Sequence, residues 1–358
     1  MPHAAADKPR LLLTCGDPAG IGPEVVAKAW NASSAHARAR LRVVADAATF
    51  ARVLAERPGL PRLAVENVPA TDARDSAPDR ILLVASGADP TPIPAGRPTA
   101  AGGASAAAAV LAAARLVRDG VADAIVTGPL HKAALHAAGY HVPGHTELLA
   151  RFCGLADDDV SMMLWLPRAD ATGLPGGLGV VHATLHEPLR LAVGRLSTAA
   201  VVQAGRRLAA LLPPLLGRPP RIAVAALNPH AGESGLFGDE EARLLEPAVT
   251  ALAALGLTVA GPLPADTLFL RASRGEFDGI VALYHDQGHI PVKLLGMHRA
   301  VNITLGLPLV RTSVAHGTAF DIVGTGAADA ASMLAAIDAA ARLVADHAEV
   351  RAATAPGT

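Results

Sequence analysis

The chain has few aromatic residues, few cysteines and almost no net charge. Phe, Trp and Tyr together make up 3% of its 358 residues. The core that a 51% hydrophobic content permits must therefore be built chiefly from Ala, Val and Leu. Two cysteines, Cys15 and Cys153, are too few for a disulfide framework and lack metal-ligand spacing. They read as reduced thiols of a cytoplasmic protein. A formal net charge of −1 gives no basic excess for a nucleic acid and no acidic tail. Long apolar runs are missing too. The opening MPHAAADKPRLLLTCGDP has only a short one before a charged turn, which argues against a secretory signal. The Ala-rich run 98–114 is shorter than a membrane span. These absences together point to a soluble protein with neither nucleic-acid nor membrane partners. The length suits two domains of about 100–200 residues each.

What is present is a regular alternation. RLLLTC, LRVVA, RILLVA, ADAIVTG, LGVVHA, RIAVAALN, LTVAG and DGIVAL read as strands. Most are continuous aliphatic runs, as expected of strands covered on both faces. Helical patterns fall at 23–29, 103–117, 188–211, 239–255 and 327–343. Strand–helix alternation predicts an α/β fold with a largely parallel sheet. The Pro/Gly-rich stretches 89–97 and 212–220 read as surface connections, and the Asp-rich 156–160 as another loop.

Ligands of open α/β sheets bind beyond the carboxyl ends of strands. Five such ends carry Gly, Pro, His or carboxylates: TCGDPAGIGPE, VTGPLHK, VVHATLHEP, ALNPHAGESGLFGDEE and LYHDQGH. In the first, Pro23 suits a first helical position and Glu24 the first turn, while the glycines permit a tight turn. It is not the GxGxxG dinucleotide fingerprint. His182 and His186 share a face if their segment is extended. Together with His230 and His285, they would place imidazoles at successive strand ends, and neutral imidazole suits zinc and similar ions. The separations from 186 to 230 and from 230 to 285 match no local metal motif. Spacing alone therefore leaves both a metal site and ordinary surface or core histidines open. Ile290-Pro291-Val292-Lys293 reads as a helix start, where a lysine beside free backbone N–H groups favours an anion. Asn302 and Arg311 follow closely, and Arg matches phosphate with its planar fork. His145 and Thr146 open a helical piece, ELLARFC, where Thr is an ordinary cap. HGTAFDIVG (316–324) is a glycine-punctuated platform able to approach a flat or phosphorylated ligand.

Taken in order, GDPAGIGPE, TGPLHKAAL, GHTELLA, LNPHAGE, GPLPADTLF, YHDQG, VNITLGLP, RTS and HGTA are more specific than any one piece. The set resembles the 4-hydroxythreonine-4-phosphate dehydrogenase family of pyridoxal phosphate biosynthesis, over roughly 11–343. HGTAFDIVG and GDPAGIGPE also look like isocitrate and isopropylmalate dehydrogenases. The resemblance implies a non-Rossmann α/β fold of that kind, with two α/β/α domains around a cleft. The first domain would take residues 1–135 and 300–358, on the cofactor side. The second would take 136–299, with the metal and the dimer interface. It implies a homodimer whose active site is shared across the interface. His186, His230 and His285 would hold one divalent metal (Zn, Co, Mn or Mg), with His285 contributed to the neighbouring subunit's site. His145, Thr146, Lys293, Asn302 and Arg311 would bind a phosphorylated four-carbon hydroxy acid. Asp266 and Asp286 match acids near the metal, expected to orient ligands or relay a proton. Gly317, Thr318 and Asp321 are carried over for the cofactor, NAD or NADP. The implied reaction is oxidation and decarboxylation of 4-phosphooxy-L-threonine to 3-amino-2-oxopropyl phosphate.

The match has departures. His289 stands where many members carry leucine. The GHIPVK form is similar to a branch acting on D-threonate or D-erythronate 4-phosphate, and to a diol dehydrogenase branch of terephthalate breakdown. Arg311 and GHTE fit a phosphorylated substrate and disfavour the diol branch. His289 is a candidate reader of amine against hydroxyl at the substrate's second carbon. Ala315 replaces an expected acid before HGTA, which bears on the cofactor contacts. A non-catalytic metabolite-binding relative is the alternative of another class, although all three metal-site histidines are present.

Overall fold

A computed structural model describes residues 8–88, 92–168 and 174–345. Two compact units divide the chain. One takes residues up to Val160 and resumes at Leu307; the other is Ser161–Gly306.

In the first unit, β1 (Arg10–Thr14), β2 (Arg40–Ala45), β3 (Ala64–Asn67), β4 (Arg80–Ala85), β5 (Ala124–Thr127) and β12 (Val310–Val314) lie in the order β3-β4-β2-β1-β5-β12. Every pairing is parallel. Leu11, Leu12 and Leu13 are all fully buried. Successive strand residues face opposite ways, so both faces of the sheet are covered. The cover includes α3 (Ala100–Arg118), which packs on β1, β2 and β5, and α11 (Ala331–Ala345), which packs on β12, β5 and β1. Helix α3 is long and apolar enough to cross a membrane by length and composition, yet ten of its residues are buried against the unit. Thr99 Oγ1 caps it by accepting from Gly102 N. α1 (Gly22–Ala32) packs on α11, and α2 (Ala47–Glu56) on α1. α4 (Lys132–Ala137) and α5 (His145–Phe152) both pack on α3.

The second unit contains β6 (Ser161–Leu166), β7 (Leu178–His182), β8 (Arg221–Ala225), β9 (Thr258–Leu263), β10 (Gly279–Ala282) and β11 (Val301–Leu305), in the order β11-β6-β7-β10-β8-β9. Here β6 runs antiparallel to both neighbours, and the other pairings are parallel. The remaining helices are α6 (Leu189–Arg195), α7 (Thr198–Leu216), α8 (Glu246–Ala254), α9 (Ala265–Ser273) and α10 (His285–Gly296). α7 packs on β7, β8 and β10, and α10 packs on β6, β7 and β10.

Several expectations are corrected. The first unit reaches Val160 rather than 135, because α5 packs on α3 and stays with it. The return falls at Leu307 rather than 300, because β11 pairs with β6. The 188–211 window breaks at Ser197, whose Oγ accepts from Ala200 N and starts α7 afresh. The stretch 212–220 is not all loop: α7 carries Pro213 and Pro214 in its last turns and closes on left-handed Gly217, whose N–H reaches the Pro213 carbonyl. Three residues of the 89–97 connection, 89–91, lie outside the described residues.

Candidate active site

In the second unit, β7 and β10 end in register, with His182 paired to Ala282. The segments beyond stay together. Ala183 N donates to the Ala282 carbonyl, and Thr184 donates to the Leu283 carbonyl through both its N–H and its hydroxyl (2.8, 3.1 and 2.7 Å). This stitching brings the His186 ring to 5.8 Å from that of His285. Gln287 fixes the start of α10 by accepting from Leu283 N and donating to the Ala226 carbonyl, both at 2.7 Å.

His285 Nδ1 lies 2.7 Å from Asp286 Oδ1, a contact that orients the ring and leaves Nε2 as its second position. One helical turn on, His289 stacks on His285 with centroids 3.8 Å apart. His289 Nδ1 lies 3.2 Å from His182 Nε2 and 3.2 Å from the His285 carbonyl. Burial, then the neighbouring imidazoles, pushes His182 down to about 3. Burial, then His285, pushes His289 down to about 4. Both rings are thus neutral at neutral pH. Gly288 is required here, since a Cβ on it would sit 2.3 Å from His182 Nε2. A cavity of about 490 Å³ opens over His186, Glu187, Tyr284, His285 and Asp286, with Leu185 and Leu189 on its apolar side.

His230 is placed differently. It is exposed, with its ring 6.2 Å from that of Phe237. It begins six consecutive residues, His230–Gly235, with positive φ. Each non-glycine residue in that region is strained by about 1–2 kcal/mol. The turn is anchored by buried Glu241, whose carboxylate accepts from Leu227 N, Asn228 N and Asn228 Nδ2. Among the described residues, no group of three or more His, Cys, Asp or Glu side chains is placed to hold a metal. Within one chain, therefore, neither His230 nor Asp266 (exposed in the first turn of α9) completes the pair of His186 and His285. The donor chemistry of that pair fits a divalent ion: two imidazoles, one oriented by a carboxylate.

The helix start read at 290–293 is also corrected. Helix α10 begins at His285 with Pro291 inside it, so exposed Lys293 lies in the last turn and not beside free N–H groups. Asn302, on β11, has its Oδ1 buried without a hydrogen-bond partner.

The first unit holds the remaining polar centre. Arg311, on β12, is 2% exposed. Burial pushes its guanidinium down to about 9, partly offset by the Glu147 carboxylate, so it stays charged at neutral pH. His145 opens α5 with its Nε2 buried and unpartnered. Burial, then the Arg311 charge, holds it well below the usual imidazole range. Thr146 follows, half-buried. A neutral imidazole and a charged guanidinium thus lie within electrostatic reach of each other, both largely withdrawn from solvent.

Two distant glycine-rich loops of the same unit also meet. Ile21 N donates to the Thr318 carbonyl at 3.0 Å, and Gly324 N donates to Glu24 Oε1 at 3.0 Å. Arg57, which no motif flagged, binds Glu24 and the Gly20 and Pro18 carbonyls. Gly16 needs its φ of +67°, and a Cβ there would sit 2.0 Å from the Pro129 carbonyl oxygen. Thr318 is buried, while Gly317 and Asp321 are exposed. The Ala315 N–H is held by Ser332 Oγ.

Residues 37–340 match the family model of the pyridoxal phosphate biosynthetic protein PdxA. The chain belongs to the PdxA family. It is 44% identical to a D-threonate 4-phosphate dehydrogenase of Cupriavidus necator, over 94% of this chain and 97% of that one. It is 43% identical to a 4-hydroxythreonine-4-phosphate dehydrogenase of Geobacter metallireducens, over 94% and 96%. The crystal structure of 4-hydroxythreonine-4-phosphate dehydrogenase from Klebsiella pneumoniae superposes with a TM-score of 0.80 at 40% identity, covering 94% of this chain and all of that one. Sequence reasoning within the PdxA motifs did not single out Thr127, Ser313 or Arg57. His182 it did mark, as an imidazole at a strand end, without assigning it to the site.

Proposed function

We propose that the protein is a cytoplasmic NAD(P)-linked oxidoreductase that oxidises and decarboxylates 4-phosphooxy-L-threonine. The observation that carries the reading is buried Arg311 beside His145, whose Nε2 is buried without a hydrogen-bond partner, in a PdxA-family chain. The pair supplies a charged fork and a neutral imidazole for the substrate's phosphate, with Thr146 beside them and Lys293 and Asn302 as further substrate contacts. Holding the phosphate spends binding energy remote from the reacting carbon to keep that carbon in line.

His186, His230 and His285 are the proposed metal ligands, with His285 serving the neighbouring subunit of a homodimer. Exposed Leu189, Ile290 and Leu294 near these histidines in sequence support such an interface. A divalent ion held by these histidines would supply Lewis-acid polarisation of the substrate oxygen, and a nicotinamide would supply the hydride acceptor. Asp286 holds the His285 ring, and Asp266 and Asp286 are the proposed proton carriers. Gly317, Thr318 and Asp321 line the cofactor side. The alcohol would give a hydride to the nicotinamide and its hydroxyl proton to one of these carboxylates, forming a β-keto acid; loss of carbon dioxide then leaves an enolate whose carbon takes up a proton to give the ketone.

A second reading keeps this chemistry and changes the substrate to D-threonate or D-erythronate 4-phosphate. Buried His289 favours it, as do relatives named for D-threonate 4-phosphate at 44% and 45% identity. The test is NAD⁺ reduction by metal-reconstituted enzyme with 4-phosphooxy-L-threonine beside D-threonate 4-phosphate. A higher kcat/KM for the amino acid supports the first reading, and a higher value for the sugar acid replaces it with the second. Turnover of neither overturns both.

A further inference from the structure

Arg311 is gripped by a neutral partner. Its Nε and Nη2 both donate to Thr127 Oγ1, at 3.1 and 2.7 Å. That hydroxyl gives its own proton to Ser313 Oγ at 2.9 Å. Ser313 Oγ in turn donates to the Thr127 carbonyl at 3.0 Å. A hydroxyl has one proton and two acceptor sites, so that of Thr127 is fully used. Strand register builds the arrangement: Ser313 pairs with Thr127, and Arg311 lies two residues back on the same face of β12. Thr127, Ser313 and Arg311 are 0%, 3% and 2% exposed.

The chemistry of the clamp matters. A carboxylate in the place of Thr127 would orient the guanidinium and also neutralise it. A hydroxyl orients it without adding a negative charge of its own. Relayed hydrogen bonds also fix the hydroxyl itself, so the fork is held before any ligand arrives.

We propose that Thr127 and Ser313 are positioning residues: a two-hydroxyl relay that fixes the Arg311 guanidinium for the substrate's phosphate without quenching its charge. The inference rests on the assignment of Arg311 to phosphate in the proposed function.

The test compares Thr127→Val, Thr127→Ser, Ser313→Ala and Arg311→Ala with the parent holoenzyme. KM and kcat are measured for whichever phosphorylated acid turns over, with inhibition by inorganic phosphate and the thermal midpoint alongside. Thr127→Val is expected to raise KM and weaken phosphate inhibition by about 10–100-fold, the size of a lost hydrogen bond to a charged group. Its kcat changes far less. Thr127→Ser keeps the oxygen and restores most of the affinity, while Ser313→Ala falls between. Equal behaviour of Thr127→Val and Thr127→Ser, or unchanged KM and phosphate inhibition in Thr127→Val, overturns the relay. If Thr127→Val does not fold, the contrast between Ser313→Ala (raised KM) and Thr127→Ser (near-parent KM) decides, and its absence overturns the relay. Arg311→Ala separates the two levels. Phosphate inhibition unchanged in Arg311→Ala removes the phosphate assignment and the relay with it. Inhibition lost in Arg311→Ala but kept in Thr127→Val removes only the relay.

Discussion

The two polar centres of this molecule are built in opposite ways. In the first unit, Arg311 projects from a strand, is closed in on all sides and has a hydroxyl clamp behind it. In the second, His186 lies on the loop after β7 and His285 opens α10; both face an open cavity, beside two buried imidazoles. The first centre has a fixed charge and a fixed shape, as suits recognition of an anion that does not react. The second has room in front and the neutral rings of His182 and His289 behind, as suits an ion and a reacting carbon. Neutrality at the second centre follows from burial of His182 and His289; charge at the first survives burial only because arginine starts from so high a pKa.

The contrast can be broken most severely at the second centre. His285→Ala is expected to abolish zinc binding measured by calorimetry on the intact protein while leaving inorganic-phosphate binding in place. Loss of both together would mean that the centres are not separable. A milder cut is Asp286→Asn, which keeps the His285 ring but weakens its orienting partner. It should reduce metal affinity by about 10–100-fold, and an unchanged affinity would show that the 2.7 Å contact does not serve the ion.

The smallest effect concerns stability. His182 and His289 have folded pKa values of about 3 and about 4, below the ordinary 6.5. Between these values the unfolded chain binds protons that the folded chain refuses. Stability is therefore retained above about pH 6.5 and lost as pH falls, by about 1.4 kcal/mol per pH unit for each excluded proton. Urea unfolding of metal-free protein between about pH 6.5 and pH 5 should show this slope, and His182→Gln should make it shallower. An identical slope in the variant would contradict the burial argument.

Much of the fold was legible because its strands are covered on both faces and so read as aliphatic runs. The strands that were missed show the limit. β11 (VNITL) alternates apolar residues with Asn302 and Thr304, and β12 (VRTSV) sets Arg311, Thr312 and Ser313 between two valines, because these strands serve polar contacts. They read as motifs, not as strands. β6 (SMMLWL) was missed as well, and with it the antiparallel step in the second sheet. Pro291 misled in another way. Proline favours a first helical turn, but Gln287 had already tied the start of α10 to β8 and β10, so Lys293 came out at the wrong end. The pairing of His145 with Arg311 joins residues far apart in sequence, and spacing carried no trace of it. The Thr127–Ser313 relay was invisible for the same reason: a hydroxyl's role depends on strand register.

The central claim is that Arg311 spends its charge on the substrate's phosphate. The most direct measurement is kcat/KM of the parent and of Arg311→Ala, each with 4-phosphooxy-L-threonine and with the same acid lacking its phosphate. The account predicts that removing the phosphate costs the parent about 100–1,000-fold, within the range for a buried charge pair, and costs the variant almost nothing. Equal losses in both proteins would show that the phosphate is held elsewhere and would contradict the account.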